Sequence, residues 1–325
     1  MKSIWREIIL SVIMGMILPG IVLNWTVEED VREEAKVSEG EQISRQPAQQ
    51  RVNLQMRLRK SDGVHSMEMD EYLVGVILGE MPASFELEAK KAQAVAARTF
   101  TRRAQVTGGK HGDGSVCGDS ACCQAYCSAE EYLAGGGTME AVEEALQAAE
   151  DTCGYVLTYG GEVIEATYFS CSGGSTEDAV AVWGKDVPYL RAVHSPGEEN
   201  AAHYTDTVYF SQEQFMDKLG LKLTGSPGTW LGRTTYTAGG GVSTMVIGGK
   251  TFEGTRLRSL LGLRSTAFTM TADSGGVTVT TRGFGHRVGM SQYGAEAMAV
   301  NGSTYAEILA HYYPGTTLEL TNEDG

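Results

Sequence analysis

Positive charge is scarce in this sequence: 26 lysines and arginines stand against 41 aspartates and glutamates, a formal charge of −15 over 325 residues. That deficit excludes general electrostatic attraction to nucleic acid or to an anionic membrane surface, so a sugar or peptide partner must be held by local contacts. Long apolar runs are nearly missing as well. One stretch, Ile8 to Leu23, interrupted by Ser11, Gly15, Pro19 and Gly20, nears the length needed to span a bilayer. No A-x-A pattern follows it, which argues against a cleaved signal peptide and for an uncleaved anchor over residues 1–25. Lys2 and Arg6 stay in the cytoplasm on this reading, and the body of the protein lies outside a single-pass membrane segment. Internal repeats are lacking, and so is a regular βαβ alternation.

What is present suffices for a folded body, with 42% hydrophobic and 21% charged residues. Residues 26–50 are charged and Gln-rich without helical or strand period, the composition of a tether. The folded domain spans 51–320, leaving 321–325 as a tail. "VNLQMRL" and "DGVHSMEM" read as a hairpin, and Asp70 as the N-cap of a helix carrying Tyr72, Leu73, Val76 and Ile77 that ends at Gly79. An Ala-rich helix from Leu87 to Arg103 follows, with Ala92, Ala96 and Phe100 on one face. A Gly- and Cys-rich loop over 107–128 leads to a helix around Met139 to Ala149 and to a hairpin turning at Gly160 and Gly161. Further on come a strand and helix in "HYTDTVYFSQEQFMDKLG" and a strand pair in "VSTMVIGGKTF". The last helix has the capping-box pair Thr304 and Glu307, with Pro314 past its end. Mixed helices and antiparallel strands predict an α+β fold forming a cleft.

Three constellations carry chemistry. Glu80, at a helix end in "GEMP", sits beside C-terminal carbonyls whose partial negative charge raises a carboxyl pKa, the condition for a general acid at neutral pH. Arg98 reaches the same place if the second helix folds back, and would grip a substrate oxygen or carboxylate. In "KHGDGSVCGDSACCQAYC", His111, Cys117, Cys122 and Cys123 form H-x5-C-x4-C-C, a ligand set for structural zinc, with disulfides as the competing use of the cysteines. In "RGFGHRVGMSQYGA", glycines shape a loop around His286, Ser291, Gln292 and Tyr293, a set of hydrogen-bonding and aromatic groups suited to a sugar cleft. Ser170 and Ser172 of "SCSGG" are further candidate sugar contacts. "SCSGG" is not the G-x-S-x-G nucleophile elbow, and the alternative nucleophile is the Cys171 thiol paired with His286.

Taken together, "YLVGVILGEMPASFELEAKKAQAVAARTF", "CCQAY", "FSCSGGSTED" with "VWG" and "VPYL", and "GFGHRVGMSQYGAEAMA" resemble the sporulation stage II protein D family and the related amidase-enhancer proteins. The likeness runs in the same order from Val52 to Leu318. It implies a membrane-anchored lytic transglycosylase acting on peptidoglycan glycan strands stripped of stem peptides, at the sporulation septum during engulfment, with the acidic residue of E-M-P, here Glu80, catalytic. It implies, too, a zinc loop in which Cys122 stands where the family pattern has a second histidine, so that Cys122 or Cys127 supplies the fourth ligand. The implied partners are a sporulation amidase and endopeptidase and a polytopic membrane scaffold protein. Two rival readings are a noncatalytic glycan-binding activator of a cell-wall amidase and a zinc hydrolase. A single carboxylate fits the first of the three functions: a lytic transglycosylase uses the substrate's own C6 hydroxyl, whereas ordinary glycosidases need a second carboxylate.

Overall fold

The computed structural model describes residues 54–321. The anchor over 1–25, the tether over 26–50 and the end of the tail lie outside the described residues. Among the described residues no helix is long and apolar enough to cross a membrane.

The chain folds as α+β, with helices packed on small, mostly antiparallel sheets. Gln55–Lys60 and Gly63–Glu68 form the first hairpin, and the helix Met69–Glu80 follows directly from its second strand. Asp70 is therefore not the N-cap: Glu68 holds that position without a side-chain cap, and Glu80, not Gly79, is the last helical residue. The next helix runs Leu87–Thr107 and closes on Gly108, whose φ of 86° is the left-handed conformation that glycine adopts without penalty. It is buried on two sides. Ala89, Ala92, Val95 and Ala96 join one core with Leu157, Val288, Met290, Tyr312 and Tyr313. Ala94, Ala97 and Ala104 join a second core with Tyr72, Leu73, Ile77 and the helix Met139–Asp151. Alanine serves both demands, because it has the highest helix propensity and lets neighbouring backbones come close.

A third core belongs to residues 205–282, where the strands Thr205–Ser211, Phe268–Ala272 and Gly276–Arg282 form one sheet and Leu231–Tyr236, Val242–Ile247 and Lys250–Glu253 another. The two hairpins expected at glycine pairs are present, with φ of 61° and 83° at Gly160 and Gly161 and 57° and 79° at Gly248 and Gly249. The Thr304–Glu307 capping box is formed at the head of Tyr305–Tyr312.

Two short parallel pairings, which sequence periodicity does not indicate, position the site. Val116–Cys117 pairs with Leu58 and Arg59. Tyr168–Phe169 pairs with Met290–Ser291, and an isolated bridge joins Cys171 to Phe284. The second set ties "TYFSCSGG" to "GFGHRVGMSQ", so two distant loops share one wall.

Candidate functional site

Glu80 stands in the wall of a cleft of about 1120 Å³, larger than most small-molecule pockets and open to an extended ligand. The cleft draws on the Glu80 helix end, residues 120–125, the stretch Glu165–Ser170, Trp183 with Lys185, and Phe284–His286 with Gln292 and Tyr293. Glu80 is held from two sides. The Ala125 N–H donates to Oε1 at 2.6 Å and Gln292 Nε2 donates to Oε2 at 3.2 Å. Burial raises the carboxyl above its ordinary value, and the hydrogen bonds from Ala125 and Gln292 pull the other way without cancelling it.

The Ala125 donor reaches Glu80 because the helix face beneath it has no side chains. A Cβ on Gly79 would lie 3.1 Å from the backbone of Ala125 and Tyr126, and one on Gly75 would lie 2.3 Å from the Tyr126 ring. The two glycines, one turn apart, let the segment Gln124–Cys127 lie across the helix, and Cys127 N–H donates to the Gly75 carbonyl at 3.0 Å. Gln124 is buried beneath. Its amide donates to the Tyr72 hydroxyl at 2.9 Å and to Thr101 at 3.1 Å, and its carbonyl accepts from Tyr168 at 2.8 Å. Sequence reasoning missed Gln124, Ala125 and Tyr168 as neighbours of Glu80. The quoted "CCQAY" was the available signal.

His286 is half-buried between Phe169 and Trp183, with ring centroids 5.6 and 5.2 Å away. Its Nδ1 accepts from the Val288 N–H at 3.1 Å. Burial pushes its pKa down to about 4, with the Arg258 and Lys110 cations adding to the effect, so the imidazole is neutral at pH 7. Tyr293 and Ser170 line the cleft, and Trp183, 41% exposed, offers an apolar face of the kind that stacks on sugars.

Other candidates lie elsewhere. Arg98 is fully buried, away from the cleft. Its guanidinium donates to the carbonyls of Ala149, Thr152 and Tyr155 and pairs with Asp70 at 3.1 Å, so it closes the C-terminus of Met139–Asp151 and does not meet substrate. Ser172 is buried on Glu198, to which its N–H and hydroxyl donate at 2.6 and 2.9 Å. Ser291 is buried as the N-cap of Gln292–Val300, accepting from the Gly294 N–H at 3.2 Å. The Cys171 thiol donates to Glu198, and burial with that carboxylate pushes its pKa up to about 12, so it is not a thiolate nucleophile paired with His286.

The ligand atoms of His111, Cys117, Cys122 and Cys123 all lie within 4.8 Å of one another. Cys122 and Cys123 sulfurs are 3.8 Å apart and stand 3.8 and 3.6 Å from His111 Nε2. Tetrahedral zinc, with Zn–S of about 2.3 Å and Zn–N of about 2.0 Å, sets edges of about 3.5–3.8 Å, so the four residues fit that ion. Cys127 is not in the group; its thiol faces the Ser128 carbonyl. Between Cys122 and Cys127 as fourth member, the geometry selects Cys122.

A family model described as "Stage II sporulation protein" matches residues 58–159. Stage II sporulation protein D of Bacillus subtilis (strain 168) is 41% identical over 272 residues, 82% of this chain and 79% of that protein. Its counterpart from Bacillus amyloliquefaciens is 39% identical over 272 residues, covering 82% and 78%. The chain belongs to the stage II sporulation protein D family. The amidase enhancer of Bacillus subtilis (strain 168) is related at 32% identity over 304 residues, 76% of this chain and 40% of that protein. The span matched by the sporulation-family model holds Glu80 and the His/Cys cluster, while His286 and Gln292 come from beyond it.

Proposed function

We propose that this protein cleaves peptidoglycan glycan strands between N-acetylmuramic acid and N-acetylglucosamine as a lytic transglycosylase, with Glu80 as the one acid and base. The observation that carries the reading is the Glu80 carboxyl, lifted by burial in the cleft wall and gripped by the Ala125 N–H and Gln292. In the first step Glu80 gives its proton to the glycosidic oxygen as the C1–O bond breaks. The C6 hydroxyl oxygen of the same sugar then bonds to C1 and returns its proton to the Glu80 carboxylate, leaving a 1,6-anhydro end and an unchanged enzyme. No water is consumed. The neutral His286, Tyr293, Ser170 and Trp183 bind and orient the strand. Glu165 is the other carboxyl lining the cleft among the described residues, and it is exposed on the rim.

Zinc on His111, Cys117, Cys122 and Cys123 would supply folding free energy, a closed cross-link at the base of the loop that presents Ala125 to Glu80. The four ligands leave no open position for hydrolytic chemistry. The apolar run over residues 1–25 anchors the chain in the membrane, with the domain on the outer side at the sporulation septum. There the protein works with an amidase and endopeptidase that strip stem peptides and with a polytopic membrane scaffold. The relation to the amidase enhancer favours a second reading, in which the cleft binds glycan and stimulates an amidase without turnover. Mass spectrometry of glycan strands digested by the protein separates the possibilities. Anhydro-ended sugars are expected; reducing ends would mean a hydrolase, and unaltered strands an activator.

A further inference from the structure

Arg258 is a half-buried cation in the cleft wall without an anion to meet it. Its Nε donates to the Leu263 carbonyl at 3.3 Å, and the Leu263 N–H donates back to the Arg258 carbonyl at 2.9 Å. That bond fixes the guanidinium plane, while its two terminal amino groups have no hydrogen-bond partner among the described residues. Three other arginines meet a carboxylate: the buried Arg98 has Asp70, the buried Arg287 has Glu177, and the partly exposed Arg264 has Asp206. Burial lowers the Arg258 pKa and no carboxylate opposes it. Lys185, exposed two residues beyond Trp183, lines the same cleft and makes no ion pair among the described residues.

A half-buried guanidinium whose terminal amino groups face the cleft without an anion is available to a ligand carboxylate, and its planar fork matches a carboxylate edge. Two unpaired cations also make this cleft locally attractive to an anion on a chain whose net charge of −15 repels one. We propose that Arg258 and Lys185 form a carboxylate subsite that takes the lactyl carboxylate of a muramyl residue. The inference rests on reading the cleft as a peptidoglycan site and deepens it. In an alternating strand only every second sugar bears a lactyl ether, and its carboxylate is free only where no stem peptide is attached. Seating that group would fix the register, so that a muramyl C1, and not the C1 of the neighbouring sugar, faces Glu80. The subsite therefore selects both the linkage and the peptide-free state of the strand.

The test is binding to full-length protein carrying Glu80→Gln, which removes turnover from the measurement. The probes are a peptide-free alternating oligosaccharide, the same oligosaccharide with its lactyl groups converted to carboxamides, and a peptide-bearing strand. The free acid is expected to bind roughly tenfold more tightly than the carboxamide, the worth of one charge-assisted contact. Adding Arg258→Leu should erase the difference by weakening the free acid alone, Arg258→Lys should restore part of it, and Lys185→Met should reduce it. Equal affinity for acid and carboxamide overturns the subsite. So does an Arg258→Leu variant that weakens both ligands alike, which would mark a structural role, or a dependence on Arg258 seen only with the peptide-bearing strand, which would move the carboxylate to the peptide. If the wild-type protein forms no anhydro ends while the acid preference persists, the catalytic reading fails and the subsite stands.

Discussion

Burial lifts the Glu80 carboxyl in the folded protein above its value in the unfolded chain, and that sets a cost as well as a capability. A group whose folded pKa is raised contributes stability below the unfolded value and loses that contribution as pH rises through the folded one. Glu80→Gln should therefore leave the melting temperature nearly unchanged near pH 4 and raise it relative to wild type at pH 7 to 8. Thermal melts of both proteins across that range check the sign, and a variant that melts lower at neutral pH would contradict it. Arg98 is the opposite case. Arg98→Met keeps the stem of the side chain but leaves the Ala149, Thr152 and Tyr155 carbonyls without their donor and Asp70 without its cation. Denaturant unfolding should show a loss of about 3–5 kcal/mol, the range for breaking one side of a buried pair. Cleft binding in the protein that remains folded should be unaffected. From sequence, an arginine on an Ala-rich helix passes equally well for a substrate contact; what identifies it is the end of another helix, about fifty residues on, whose carbonyls it closes.

The helix Met69–Glu80 carries two glycines that each cost it stability, by about 1 kcal/mol relative to alanine. Their use is the close approach of Gln124–Cys127. Gly79→Ala is expected to push the Ala125 backbone back by a few tenths of an ångström, lengthening the bond to Glu80. Turnover should fall roughly tenfold or more through misplacement of the acid, with no matching fall in melting temperature, since alanine favours the helix. Gly75→Ala meets the Tyr126 ring head-on and should instead cost about 1–3 kcal/mol of stability by overpacking. Kinetics and melting curves on the pair separate positioning from packing. At this scale the sequence was legible where signals are local: the hairpin at Gly160 and Gly161 and the capping box at Thr304 follow from neighbouring residues. The parallel contact of Tyr168–Phe169 with Met290–Ser291 did not, because two residues display no period and their partners lie more than a hundred positions away.

On the scale of the whole molecule, the His/Cys cluster and the cleft are consecutive parts of one chain segment: Cys122 and Cys123 close the metal-sized tetrad, and Gln124 and Ala125 reach the site. Full-length protein should contain one zinc per chain by elemental analysis, and chelation should lower its thermal stability more than the specific activity of the fraction still folded. Protein without metal and with a Cys122 or Cys123 disulfide would refute this. The H-x5-C-x4-C-C spacing announced that cluster, and E-M-P announced Glu80. The cleft wall contributed by residues 165–185 and 284–293 needed the fold to assemble it. The central claim is that Glu80 alone supplies the proton. The most direct measurement is the rate of 1,6-anhydro end formation, by mass spectrometry of peptide-free glycan strands, for wild type, Glu80→Gln and Glu165→Gln. Wild type and Glu165→Gln should yield anhydro ends at comparable rates, and Glu80→Gln should fall by roughly 10²–10⁴-fold or more while still binding the strand. A Glu80→Gln protein that keeps more than about a tenth of the wild-type rate, well short of a general acid's contribution, would contradict the account.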